Sequence, residues 1–371
     1  MATNKTDKVL NVPTLRFPGF TDEWETLMLS EIAPNISAGR SGNPIENGDF
    51  YLYGSTGIIG KTNNAQYQGE KILIARVGAN AGKISYNNET CGITDNTLIV
   101  KSAKISARYL YYYLTRYNLN RLIFGSGQPL ITGGMLKKIP ISFPELIERN
   151  KIISFLSLLD ERIALQSKLI EDLKKLKSAI VEMLYVQSTS KIRLGAVIKQ
   201  VSIRNRNGSD RKVMSVNNKY GFIAQSEQFE ERLVASEDTS NYKVIVPGIF
   251  AYNPARINVG SIAQYNGDKP CVVSPMYICF ECEEKVIGAY LEHFFSTKYF
   301  HKEMEKRLEG SVRLCLSFEA LCNISISLPP KEQQQKYAQV VGRILEQIST
   351  ETDILQAYQK QKSYLLSAMF I

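Results

Sequence analysis

The feature that most constrains this chain is a repeat: shifted by 185 residues, the sequence falls on itself. Ile139-Pro-Ile-Ser-Phe-Pro144 then lies over Ile324-Ser-Ile-Ser-Leu-Pro329. Lys151 meets Lys336, Glu161 meets Glu346, and Lys175, Lys177 and Ser178 meet Lys360, Lys362 and Ser363. An apolar spacing repeats with them. In steps of three and four the first copy reads Leu156, Leu159, Ile163, Gln166, Ile170, Leu173, Lys177, Ile180 and Leu184. The second reads Val341, Ile344, Ile348, Glu351, Leu355, Tyr358, Lys362, Leu365 and Met369. That is the seam of a coiled coil, with two polar breaks at equivalent places.

Residues 145–187 and 331–370 contain no internal Pro and, of glycines, only Gly342. At 1.5 Å per residue each would make a helix of roughly 60 Å, far longer than the usual three turns. A helix of that length outgrows one small core, so the two are expected to pair with each other, antiparallel. The segments before them match in islands. Cys91 aligns with Cys271, Tyr109-Leu110 with Tyr290-Leu291, Gly82-Lys-Ile with Gly260-Ser-Ile, and Gly125-Ser126 with Gly310-Ser311. Each has β-like runs, at 71–75 and 96–100 in one and 243–252 and 276–280 in the other, then a Tyr-rich helical stretch, 107–122 and 289–308. The expected fold is therefore α/β (α+β), a pseudo-two-fold repeat in which β-rich domains (1–143 and 188–328) alternate with long helices (144–187 and 329–371).

Lys and Arg exceed Asp and Glu by nine, 22 against 17 up to Tyr185 and 23 against 19 after it. A basic balance shared by both copies favours a polyanionic partner but says nothing of fold. Residues 1–19 have no apolar run resembling a secretory signal. No stretch approaches 18 apolar residues, so no membrane span and a cytoplasmic setting are expected.

Catalytic patterns are scarce. Six cysteines in 371 residues do not suggest a disulfide scaffold. Cys279-x-x-Cys282 is followed by Cys315 and Cys322, whose spacing suits a zinc site poorly, so buried or partly buried thiols are expected and no metal. The two histidines, His293 and His301, read as a solvated helix face. There is no phosphate-binding G-x-x-x-x-G-K-[ST] loop and no G-x-S-x-G elbow. Asn253-Pro-Ala-Arg256 starts like the Asn-Pro-Pro-aromatic motif of adenine methyltransferases but lacks its second proline and aromatic, and no glycine-rich cofactor loop accompanies it.

The loops instead suit base edges and phosphates. Tyr53-Gly-Ser-Thr-Gly57 offers Tyr53, Ser55 and Thr56, with Lys61 beyond, and Ala75 to Lys83 sets Arg76, Asn80 and Lys83 around two glycines. Gly125-Ser-Gly-Gln-Pro129 adds Ser126 and Gln128. In the second copy the corresponding residues are Asn217, Lys219 and Tyr220, then Asn253, Arg256 and Asn258, and Ser311 and Arg313. Arg matches guanine and Asn matches adenine bidentately, while Lys mainly finds phosphate. Any one such loop is most simply a β-turn whose Gly and Asn serve the backbone; recurrence at equivalent places in two domains is what favours DNA.

On these residues the chain resembles the specificity subunit of type I restriction-modification systems. Leu15-Arg-Phe-Pro-Gly-Phe20 with Asp22-Glu-Trp24, Tyr252 to Ile262, Gly125 to Pro129, Pro144 to Asp160 and Leu328-Pro-Pro-Lys-Glu-Gln-Gln-Gln-Lys336 carry the likeness, which spans the chain and its repeat. It departs from the family where the first helix begins Glu148-Arg-Asn-Lys151 instead of with Glu-Gln, and where Ser311-Val-Arg-Leu replaces Ser126-Gly-Gln-Pro. The resemblance implies a non-catalytic DNA-recognition subunit. Two target recognition domains would each read half of a bipartite duplex site. The helix pair would space them and dock two modification subunits that use S-adenosylmethionine to methylate adenine, and restriction subunits using ATP and Mg would join. No cofactor is expected in this chain. The competing readings are a coiled-coil scaffold for proteins alone and a self-contained DNA methyltransferase, the latter disfavoured by the missing motifs.

Overall fold

A computed structural model describes residues 11–123, 127–186, 191–206, 208, 211–228, 238–311 and 313–371. By its contacts the chain divides into two units, residues 1–167 with 353–371, and residues 168–352. The boundary falls inside both long helices, Leu146–Val186 and Lys331–Met369.

Each unit builds the same framework. In the first, strands Ile36–Ala38, Thr97–Val100, Lys71–Ala75 and Ile84–Asn87 lie side by side in that order, antiparallel throughout. A second sheet has Gly57–Thr62 antiparallel to Phe50–Gly54, and Phe50–Gly54 parallel to Gly92–Ile93. In the second unit, Ile198–Val201, Ile278–Cys282, Phe250–Tyr252 and Ile262–Gln264 repeat the first order. Gly221–Ala224, Val213–Asn217 and Cys271–Val273 repeat the other, with Lys243–Ile245 added at the edge. A two-stranded ribbon precedes each long helix, Glu25–Met28 with Pro140–Phe143 and Lys191–Arg193 with Ser325–Ser327.

The repeated residues hold equivalent places. Tyr109 and Tyr290 are both fully buried, and their hydroxyls donate to the carbonyls of Ser142 and Ser327 at 3.0 and 2.7 Å. Buried hydroxyls need such acceptors. Gly82 and Gly260 both have left-handed backbone, φ +88° and +89°, which glycine adopts without strain. A Cβ on Gly82 would stand 2.5 Å from Asn120 Oδ1.

Four expectations need correction. The run 243–252 is two strands in different sheets, because Pro247-Gly248 turns the chain with Gly248 at φ +92°. The stretch 107–122 is the helix Ala107–Tyr117 and a short 3₁₀ turn, broken at Asn118, whose left-handed backbone ends the helix. The stretch 289–308 is two helices, Gly288–Phe294 and Lys298–Glu305. Buried Thr297 caps the second by accepting from Phe300 N at 3.0 Å. His293 and His301 therefore share no single face, and both are half-buried rather than solvated. Burial lowers the pKa of His293 to about 4, so it is neutral at neutral pH.

Each long helix turns a stripe of residues inward, with Ile163, Leu173, Ile180, Ile344, Ile348, Leu355 and Tyr358 half-buried along it. Leu156, Leu159, Ile170, Leu184, Val341, Leu365 and Met369 are buried, while the intervening Leu158, Leu165, Leu176 and Tyr364 are exposed. The first unit packs Leu156 and Leu159 with Leu365 and Met369; the second packs Val181 and Leu184 with Val341. The start of one helix thus lies with the end of the other, as antiparallel partners require. In the first unit Lys362, a polar break in the stripe, pairs with Asp160 at 2.5 Å. Asp160 also accepts from the Tyr112 hydroxyl at 2.9 Å.

The two helix starts are anchored differently. Glu148 is fully buried and accepts two hydrogen bonds from Arg16, at 2.7 and 2.8 Å. That fork geometry is the strongest form of the pair, and it raises the Arg16 pKa. In the second unit neutral Gln334 accepts from Ile287 N at 2.9 Å and donates to the carbonyls of Lys285 and Pro329 at 3.0 and 2.8 Å.

Candidate nucleic-acid interface

Backbone hydrogen bonds gather the loops of each unit into one surface. In the first, Gly39 N donates to Thr97 O and Ser41 N to Ile93 O, fixing the loop after the first strand beside the turn 94–96. Thr94 N donates to Tyr53 O, which ties that turn to the hairpin closed at Gly54–Gly57. Arg76 N donates to Asn96 O, Ile131 N to Arg76 O and Gly78 N to Pro129 O, at 2.9, 2.9 and 3.0 Å, which adds the two remaining loops.

The sequence candidates divide on this surface. Ser55 lines a cleft of about 550 Å³, and Thr56 stands exposed at the hairpin tip. Tyr53 is half-buried against the cluster of Leu73, Cys91 and Ile93, and burial raises its pKa. Lys61 is exposed on its strand opposite Tyr51. Arg76 is half-buried, and its Nε is enclosed without a hydrogen-bond partner among the described residues. Asn80 closes a 3₁₀ turn, its carbonyl accepting from Lys83 N at 3.0 Å, with the Lys83 side chain exposed. Gln128 is exposed; Ser126 lies outside the described residues.

The cleft brings in four residues that sequence reasoning missed: Arg40, Asn43, Asp95 and Asn96. All four are exposed, and no hydrogen bond or ion pair engages their side chains among the described residues. Their signal in the sequence was slight. Arg40-Ser-Gly-Asn43 and Thr94-Asp-Asn96 are short turns more than 50 residues apart, joined only by the strand pairing. By contrast Lys71, the same residue type as the candidate lysines, is buried and donates to the carbonyls of Gly69 and Glu89 at 2.8 and 2.7 Å.

The second unit arranges its loops likewise. Ser261 Oγ donates to Val216 O, Asn253 N to Ser261 O, and Leu316 N to Pro254 O, at 2.8, 3.1 and 3.1 Å. Asn217 and Asn253 serve their own turns. Asn217 Oδ1 accepts from Lys219 N and Tyr220 N, and Asn253 Oδ1 from Ala255 N. Lys219, Tyr220, Arg256, Asn258, Ser311 and Arg313 are exposed. Large apolar groups stand among them, with Tyr220 76% exposed, Met276 61%, Val259 51% and Leu314 51%. The thiols lie inside: Cys279 is buried, Cys282, Cys315 and Cys322 are half-buried, and burial pushes the Cys282 thiol up to about 12.

A pair of loop surfaces rich in Arg, Asn and Lys, each on the same strand framework, suits DNA. Comparison with known proteins agrees. The family model for the type I restriction modification DNA specificity domain matches this chain twice, over residues 21–175 and 201–360. The chain belongs to that family. It is a DNA-specificity subunit and not an enzyme. A type I specificity subunit of Mycoplasma pneumoniae is 32% identical over 162 residues, 40% of this chain and 53% of that protein, so this match spans about half of the relative. The specificity subunit of the type I restriction enzyme MjaVIII of Methanocaldococcus jannaschii is 25% identical over 96% of this chain and 93% of its own. The S subunit of a type I system from M. genitalium has the same fold, with a TM-score of 0.63, 16% identity and coverage of 97% of this chain and 99% of that one. Among the described residues no helix is long and apolar enough to cross a membrane.

Proposed function

We propose that this subunit reads a bipartite duplex site, one recognition domain per half-site, and carries the enzymes that act there. The recognition domains are residues 1–143 and 188–328. The helices 144–187 and 329–371 form a coiled-coil spacer between them. The observation that carries this reading is the repetition of one strand framework with two different sets of presented side chains. An antiparallel helix pair relates such domains by a two-fold, so they address opposite strands. Helices of about 60 Å exceed one turn of duplex, roughly 34–36 Å, which leaves unread base pairs between half-sites.

In the first domain, Arg40 and Asp95 face one cleft without neutralising each other. An acid on a DNA-facing surface repels phosphate, and its use there is to accept from cytosine N4, as Arg donates to guanine O6 and N7. We assign this cleft to a G·C pair in the first half-site. The exposed Val259 and Met276 of the second domain suit thymine methyls instead.

The first long helix supports partner docking. Besides the stripe buried against the second helix it exposes Phe155, Leu158, Leu165, Leu169, Leu176 and Met183. Exposed apolar groups at this spacing mark a surface for another helix. We assign it to two modification subunits, which would bring S-adenosylmethionine, with restriction subunits bringing ATP and Mg, all in the cytoplasm.

Mapping methylated adenines in a host expressing the chain with its modification subunits tests this. A two-part motif with one methylated adenine on each strand is expected. A single uninterrupted motif would refute the bipartite reading.

A further inference from the structure

The two units differ at one repeated position in a way that alters charge. In the first, Lys362 is neutralised by Asp160, which also accepts from Tyr112. The repeat carries Lys362 onto Lys177 and Asp160 onto Leu345, and the offset relating Tyr109 to Tyr290 carries Tyr112 onto His293. The lysine is kept while its acid becomes apolar. Lys177, His293 and Leu345 line one groove of about 610 Å³ in the second unit. Among the described residues no carboxylate pairs with Lys177.

The same groove runs to the hairpin tip, where it is lined by Lys219 and Tyr220, with Lys212 beside them. Its one acid is Glu292, which accepts from Gln264 N at 3.3 Å and whose carboxyl burial pushes up. His293 is neutral, since burial lowers its pKa to about 4. Lys177 and Lys219 therefore face one half-buried acid, and the exposed Tyr220 ring stands beside them.

We propose that this groove binds the phosphodiester backbone of the DNA on the second half-site, with Lys177 of the long helix and Lys219 of the hairpin tip as its phosphate contacts. The inference rests on the DNA-recognition reading above and adds a sequence-independent contact made by the spacer helix itself. Lysine suits this task because its point charge needs no fixed hydrogen-bond geometry. The first unit, where Asp160 closes the equivalent position, makes no such contact.

The test uses the full chain assembled with the modification subunits and a duplex carrying the target that the complex methylates. Each phosphate contact contributes about 0.9 to the slope of log affinity against log salt. We expect Lys177→Gln and Leu345→Asp each to flatten that slope by about one. Binding then weakens about threefold more at about 50 mM than at about 200 mM salt, with the methylated motif unchanged. Leu345→Asn, polar but uncharged, keeps the wild-type slope and separates charge from packing. Wild-type slopes in both Lys177→Gln and Leu345→Asp overturn the site, as does an altered motif, which would make it a base-reading surface. If the wild-type complex shows no sequence-selective binding, the DNA-recognition reading falls and this site with it.

Discussion

The two recognition domains share their framework and differ in what they show. Tyr109 and Tyr290 make the same buried hydrogen bond, and Gly82 and Gly260 turn the chain with the same left-handed backbone. On the loop surface the likeness ends. The first domain presents Arg40, Asn43, Asp95 and Asn96 around a cleft, and the second presents Tyr220, Val259 and Met276 among its polar groups. A framework must satisfy its own buried polar groups, which fixes residues at definite places. A reading surface is satisfied only when DNA is bound, so its residues are free to differ between copies. On the proposed function, the difference separates what holds the fold from what would read DNA.

The helix starts break the comparison most sharply. Glu148→Ala leaves the half-buried Arg16 without its carboxylate, and a loss of about 3 kcal/mol is expected by denaturant unfolding. Gln334→Ala, at the neutral anchor of the second helix start, removes partners from one amide and two carbonyls and is expected to cost about 1–3 kcal/mol. Equal losses would mean that the charge adds nothing.

His293 stands where the first unit has Tyr112. Its folded pKa, about 4, lies below the unfolded value near 6.5, so the unfolded chain binds more protons between them and stability falls as pH drops through that window. Replacing His293 by Phe should therefore flatten the stability–pH curve between about pH 6.5 and pH 4, by about 2–3 kcal/mol over the window. The Tyr112 pKa is displaced upward by burial, so Tyr112→Phe leaves that window unchanged.

Asp95→Asn tests the assigned reader. Discrimination at one base pair of the first half-site should relax by about 1–3 kcal/mol, roughly tenfold or more, with the second half-site untouched. Sequencing of methylated sites distinguishes this from a loss at both halves. The smallest effects belong to the shared framework. Tyr109→Phe and Tyr290→Phe should each cost about 1 kcal/mol and add in the double variant, with no change in target.

What could be read from the sequence followed the same division. The stripe from Leu156 to Leu184 and from Val341 to Met369 was legible because helical burial is periodic, and Leu158, Leu165 and Leu176 fall outside it as the spacing requires. The repeat shows the equivalence of the tyrosines and glycines in the sequence alone. Arg40 and Asp95 were not legible, since they become neighbours only through strand pairing. Asn217 and Asn253 show the converse, polar loop residues whose side-chain oxygens serve the local turn. The break at Thr297 was hidden because a capping hydroxyl within a helical pattern carries no period of its own.

The central claim is that each domain reads its own half of the site while the helices set the gap. Replacing residues 1–143 by the corresponding domain of a family member with a known, different target, and then mapping methylated adenines, tests it most directly. The account predicts a new first half-site, the original second half-site and an unchanged spacer. A change in both halves, or in neither, would contradict it.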